Sequence, residues 1–260
     1  MTLLPFFQVD AFAERPFTGN PAAVMPLDHW PGDAVLQDIA AENNLSETAF
    51  TVPSEDEAVD YDLRWFTPTV EVDLCGHATL AAGHILMKGA SIAFATRSGV
   101  LTVAREAGRL WLDLPAFRVE EGAEPGLAEA LGLGSAPIFL SRGGNGSAIV
   151  LLDDEAAVRR VAPDFAALRV IDRLVIVTAP GASSAVVSRV FAAFHGIDED
   201  PVTGSAHAAL VPFWADRLGR TRFDAFQASR RGGRIECELR GDRVRLGGEA
   251  VTVIEGHFQL

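Results

Sequence analysis

The most constraining feature of this chain is that it resembles itself. Thr96-Arg-Ser-Gly-Val-Leu-Thr-Val followed by Arg109-Leu-Trp-Leu returns as Ser229-Arg-Arg-Gly-Gly-Arg-Ile-Glu-Cys followed by Arg243-Val-Arg-Leu. An offset of 134 sets Gly99 on Gly233, Leu101 on Ile235, Val103 on Cys237 and Leu112 on Leu246 without gaps. Both stretches alternate apolar and polar residues across a turn containing Gly or Asp, which is the pattern of a β-hairpin. Upstream of each hairpin, Cys75-Gly-His-Ala-Thr-Leu-Ala-Ala-Gly-His-Ile-Leu matches Thr203-Gly-Ser-Ala-His-Ala-Ala-Leu-Val-Pro-Phe-Trp at an offset of 128. Each begins at a Gly and runs on as an Ala-rich apolar segment, too apolar for a surface helix, so it predicts a buried one. Two matches in the same order point to duplication.

The length of 260 residues then divides into two related lobes. Pro, Gly and Glu concentrate over 115–125, so the expected division is 1–115 and 116–260, with the C-terminal tail free to pack on the first lobe. Strand patterns stand at 6–12, Glu47–Pro53, 61–67, 138–140, 148–152 and 174–179. Helical patterns stand at Asp33–Asn43, 125–131, 153–161 and 164–168. The expected fold class is α+β: two pseudo-symmetric lobes, each a curved, largely antiparallel sheet around one central helix. Two such halves leave a cleft, where ligand sites concentrate.

Net charge is −13. A surface this acidic repels phosphate backbones, which argues against a nucleic-acid partner. Two cysteines cannot build a disulfide framework and suit a reducing compartment. No CxxC or Cys/His cluster has zinc spacing, no window of about 18 apolar residues could span a membrane, and the N-terminus lacks the basic start and cleavage signature of a signal peptide. The expectation is a soluble cytoplasmic protein.

The two Gly-led helices carry the candidate chemistry. The N–H groups of a first helical turn have no intrahelical partner and attract anions. Gly76 and Gly204 therefore either let helices pack closely or, if both ends converge, form a carboxylate pocket without Lys or Arg. Asp200 follows Asp198-Glu199 and precedes Pro201; it is either part of a solvated acidic turn or aimed back toward the Gly204 helix. Glu47 lies between Leu45 and Ala49-Phe50. It is either exposed or, if buried, raised in proton affinity and suited to general acid/base work. His77, on the first helical turn, is either a packed histidine or a neutral proton shuttle, since a helix N-terminus disfavours the cation. Cys75 at that terminus could form a thiolate, whereas Cys237, His84 and His207 read as structural.

Further motifs are Val9-Asp-Ala-Phe, Phe17-Thr-Gly-Asn-Pro-Ala-Ala-Val, Asn44-Leu-Ser-Glu-Thr-Ala-Phe, Arg64-Trp-Phe-Thr-Pro with Glu71, and Glu199-Asp-Pro-Val-Thr-Gly-Ser-Ala-His. Together with Cys75-Gly-His-Ala-Thr they resemble the phenazine-biosynthesis isomerase (PhzF-like) family, within the diaminopimelate-epimerase-like fold. The resemblance implies two lobes with the active site between them, and isomerisation of a small-molecule carboxylate substrate without metal or organic cofactor. It implies Glu47 as the principal acid/base, His77 and Asp200 as assisting groups, and Gly76, Gly204 and Ser205 as carboxylate-holding positions. Ser46 is implied as a substrate contact, and a homodimer as the assembly. The related epimerases use two cysteines; Cys75 matches the first, and Pro201 stands at the second. The alternatives are a racemase or epimerase using Cys75 or Glu47, and a non-catalytic carboxylate-binding homologue.

Overall fold

The computed structural model describes residues 2–141 and 146–260. The chain forms two compact units, Met1–Asp113 with Gly247–Leu260, and Leu114–Leu246.

In the first unit, strand Leu3–Ala11 pairs antiparallel with Ala250–Gln259 on one side and with Asn20–Pro26 on the other. Asn20–Pro26 runs parallel to Glu47–Pro53, with helix Asp33–Asn43 as the crossover. Glu47–Pro53 continues antiparallel to Tyr61–Phe66. Tyr61–Phe66 lies parallel to Ser91–Thr96, and here the crossover is the helix Gly76–Leu86. Parallel neighbours require such a crossover. Ser91–Thr96 then pairs antiparallel with Gly99–Glu106, which turns back through Ala107 and Gly108, both at positive φ, into Arg109–Pro115.

The two helices make Glu47–Pro53 a strand buried on both faces. Phe50 and Val52 join Met25, Leu36 and Ile39 under helix Asp33–Asn43. Period-2 alternation sends Glu47 and Ala49 to the opposite face, and the Gly76 helix packs against this strand. That helix is buried from Gly76 to Gly83. Its small residues permit close approach: a Cβ on Gly83 would lie 2.8 Å from Val103.

The second unit repeats this order. Ser147–Leu151 runs parallel to Leu174–Pro180, which pairs antiparallel with Val186–Ala192. Val186–Ala192 is parallel to Arg222–Gln227, and the crossover is helix Gly204–Leu218. Arg222–Gln227 pairs antiparallel with Gly233–Arg240, and the chain turns at Gly241 into Arg243–Gly248. The mixed, sheet-dominated α+β architecture thus follows the expected class, and the duplicated hairpins and buried helices lie at equivalent places in it.

The remaining helices are shorter than expected. The 125–131 pattern yields only Leu127–Ala130, while 153–161 and 164–168 yield Glu155–Arg160 and Phe165–Leu168. Asp154 and Asp164 cap the latter two by accepting from backbone N–H groups one turn on, as short polar residues at N-caps do. Leu127, Val158 and Leu168 cover Val150, Val175, Val177 and Phe191. Among the described residues, no helix is long and apolar enough to cross a membrane.

Candidate active site

Asn20 and Glu47 begin two neighbouring parallel strands, in a register that sets Glu47 beside Ala22. Asn44, at φ 48°, ends helix Asp33–Asn43 and turns the chain through half-buried Ser46 into Glu47. His77 stands on the first turn of the Gly76 helix and is 3% exposed. Its Nε2 is 3.0 Å from Glu47 Oε2. The ring N–H is not aimed squarely at that oxygen, so the contact is a close ion pair rather than an aligned hydrogen bond. On the other nitrogen, Nδ1 meets the side-chain nitrogen of fully buried Asn20 at 3.1 Å and Cys75 Sγ at 3.5 Å.

The electrostatics depart from two expectations. Burial works against protonation of His77; an ionised Cys75 sulfur and the Glu47 carboxylate work for it and raise the ring's proton affinity well above its ordinary value, the Glu47 charge being the one present at neutral pH. The helix N-terminus therefore does not dictate a weakly basic imidazole. Burial, reinforced by the Glu47 charge, pushes the Cys75 thiol up to about 11. Cys75 is a protonated thiol at neutral pH, not the thiolate its place at a helix terminus suggested.

The second unit builds its own cluster at the Gly204 helix. Asp198-Glu199-Asp200 is not a solvated turn: Asp200 is buried at the end of strand Ile197–Asp200, and Glu199 is paired with Arg189. Thr203 donates its hydroxyl to Asp200 Oδ2 in a short hydrogen bond. Fully buried Gln227 accepts from the Thr203 N–H at 2.9 Å. Its amide nitrogen donates to Asp200 O at 2.7 Å and to Thr203 Oγ1 at 3.1 Å. His207 Nδ1 bonds Thr203 O at 2.8 Å, and burial lowers its pKa to about 4, so it is a neutral structural histidine.

The two entrances repeat in detail. At the offset of 128, Thr79 corresponds to His207 and Cys75 to Thr203. Thr79 Oγ1 donates to Cys75 O at 2.5 Å, the job His207 does at Thr203. Five residues before each helix Gly, a Glu is gripped by both carboxylate oxygens along one edge of an Arg guanidinium from a preceding strand. Arg64 holds Glu71 at 2.7 and 2.8 Å, and Arg189 holds Glu199 at 2.7 and 3.0 Å. Such bidentate pairs fix geometry as well as charge.

Of the expected site residues, Glu47 and His77 come together in the first unit beside Gly76, and Asp200 stands by the entrance to Gly204 and half-buried Ser205 in the second. Asn20, Thr203 and Gln227 were not singled out. Asn20 and Thr203 lay within motifs, whereas Gln227 carried no signal, being an amide at the end of an unpredicted strand. Glu47, Cys75 and His77 bring three metal-ligating atom types within 4.8 Å. The thiol sits at Nδ1 and the carboxylate at Nε2. Opposite nitrogens of one ring cannot point at one ion, so this is a line of proton-bearing groups rather than a chelate.

Comparisons with known proteins bear on family and fold. The family model described as phenazine biosynthesis-like protein (PhzC-PhzF) matches residues 9–256. An uncharacterized isomerase of Pseudomonas aeruginosa is 51% identical, covering 99% of both chains. An uncharacterized isomerase of Halalkalibacterium halodurans is 42% identical over 100% of both. The crystal structure of a PhzF-family phenazine biosynthesis protein from Enterococcus faecalis superposes with a TM-score of 0.91 at 44% identity, covering 100% of each chain. This chain belongs to the phenazine biosynthesis-like PhzC-PhzF family, an isomerase-like family.

Proposed function

We propose that the protein is a cofactor-independent isomerase that relocates a proton on a small unsaturated carboxylic acid by general acid/base catalysis. The observation that carries this reading is the Glu47–His77 pair, 3.0 Å apart and largely shielded from water. Glu47 removes a proton from a carbon made acidic by conjugation. The C–H electron pair becomes a new C=C bond, the old C=C pair forms a C–H bond at the far carbon, and Glu47 returns the proton there. His77 stabilises Glu47 as the carboxylate before transfer and shares its proton after it. Asp200 is the second carboxylate available for proton transfer. Carboxylate-holding roles go to the Gly76 helix N-terminus with Ser46 in the first unit and to the Gly204 helix N-terminus with Ser205 in the second. This local attraction is what an anion needs against a net charge of −13.

A screen of small unsaturated and amino carboxylic acids in heavy water tests the reading. Deuterium should enter a substrate carbon, and Glu47→Gln should cut the rate by about 10²-fold or more while leaving the fold intact. Full activity in that variant would remove Glu47 from the mechanism. A second reading, thiol-driven epimerisation, is favoured by Cys75 Sγ lying 3.5 Å from His77. The upward shift of that thiol weighs against it.

A further inference from the structure

We infer that two fully buried primary amides, Asn20 and Gln227, are positioning residues that decide which atoms of the acid/base groups carry protons: Asn20 directs the proton of neutral His77 to Nε2, facing Glu47, and Gln227 directs the Thr203 hydroxyl proton onto Asp200. The inference deepens the isomerase reading and rests on it for its catalytic meaning.

The Gln227 orientation follows from its backbone partners. A backbone N–H can only donate and a carbonyl can only accept. Oε1 must therefore face the Thr203 N–H and Nε2 must face Asp200 O, as they do at 2.9 and 2.7 Å. The same Nε2 donates to Thr203 Oγ1, so the hydroxyl's own hydrogen points away, onto Asp200 Oδ2. Oδ2 is then an acceptor and not the seat of a proton.

At His77 the groups facing the ring are Asn20, Cys75 and Glu47. The Asn20 amide nitrogen is a donor only, so Nδ1 accepts from it, and the Cys75 thiol, which can donate or accept, is free to donate to the same atom. The one proton of the neutral ring goes to Nε2. Asn20 has little freedom to move. It pairs with Ala11 across the strand, and the preceding Gly19 is at φ +66°, where a Cβ would lie 2.2 Å from Ala11 O. The two units thus take opposite roles: one presents a proton beside a carboxylate, the other an aspartate oxygen held as acceptor.

Nuclear magnetic resonance of the intact protein tests this without any substrate, so its failure is separate from failure of the heavy-water screen. With 15N-labelled histidine, above the His77 titration midpoint, the neutral ring should show Nε2–H and an unprotonated Nδ1. Asn20→Asp turns the donor into an acceptor and should move the midpoint up by about one unit or more. Should that variant fail to fold, Asn20→Ala should give a mixture of the two neutral forms. A wild-type ring protonated at Nδ1, or a titration and tautomer unchanged by both variants, would overturn the Asn20 assignment. For Gln227, the readout is the Asp200 carboxyl 13C signal against pH. Gln227→Glu, which offers the Thr203 hydroxyl a rival acceptor, and the near-isosteric Thr203→Val, which removes that hydroxyl, should both move its titration upward. An unmoved Asp200 signal in Thr203→Val would overturn that half.

Discussion

His77 Nε2 stands 3.0 Å from Glu47 Oε2, and this contact, together with the Cys75 sulfur at Nδ1, works against the expected behaviour of a histidine at a helix N-terminus. Both burial and the helix dipole disfavour the imidazolium, yet its proton affinity is raised, with Glu47 among the causes. Glu47→Gln should therefore do more than remove a base. The His77 titration midpoint should fall by about one unit or more, read from ring carbon or nitrogen shifts. The same coupling acts on stability. A raised folded-state value means that the folded protein holds a proton the unfolded chain releases. This stabilisation is fully present below about pH 6.5 and is lost as pH rises through the folded-state midpoint. In Glu47→Gln that loss should be smaller and complete at lower pH.

Cys75 should be chemically quiet. With its thiol pushed up to about 11, the thiolate fraction at pH 8 is about 10⁻³, against roughly a quarter for an ordinary thiol near 8.5. Alkylation of the native protein by iodoacetamide should be at least about 10²-fold slower than after denaturation. Cys75→Ala should keep isomerase turnover within about tenfold. Loss of all turnover in that variant, with the fold intact, would shift the mechanism to the thiol.

Much of this arrangement was legible in the sequence, and the exceptions have physical causes. The buried helices announced themselves because a run such as Gly204-Ser-Ala-His-Ala-Ala-Leu-Val cannot sit on a surface. The strands Asn20–Pro26 and Val186–Ala192 were not seen because they are covered on both faces and lose the alternation that marks half-buried strands. Nothing local marks Glu199 as half of an ion pair, because its partner, Arg189, sits ten residues upstream on another strand. The effect of Glu47 on the proton affinity of His77 has no local signal, because the two come close only through the placing of strand and helix. Gln227 illustrates the limit: nothing local marks a glutamine whose three hydrogen bonds reach back to Asp200 and Thr203.

The Arg–Glu grips ahead of the two helices should be worth more than the other ion pairs. Arg189 and Glu199 are 13% and 22% exposed, and the guanidinium also donates to Val161 O at 2.7 Å. Breaking such a shielded, hydrogen-bonded pair leaves one charge without its partner, at a cost of about 2–4 kcal/mol. Glu199→Gln should show this loss in denaturant unfolding, and Glu71→Gln a comparable one, since Arg97 as well as Arg64 would lose its contact. The contrast is Arg118–Asp216, where both side chains are 65% exposed. Asp216→Asn should change stability by less than about 0.5 kcal/mol.

His207 should make the protein acid-sensitive. Burial lowers its pKa to about 4, so the folded state refuses a proton that the unfolded chain takes up near pH 6.5. Between these values the unfolded state binds more protons, so stability falls as pH drops through that window, by about 3 kcal/mol in all. The first unit shows how to remove this dependence without losing the helix-entrance bond. Thr79, at the equivalent position, satisfies the Cys75 carbonyl with a hydroxyl that does not titrate. His207→Thr should retain a bond to Thr203 O and lose some stability at neutral pH to the smaller side chain. Its unfolding free energy should fall less steeply than that of the wild type between pH 6.5 and 4. Parallel pH profiles for the two proteins would mean that His207 is not the group that titrates.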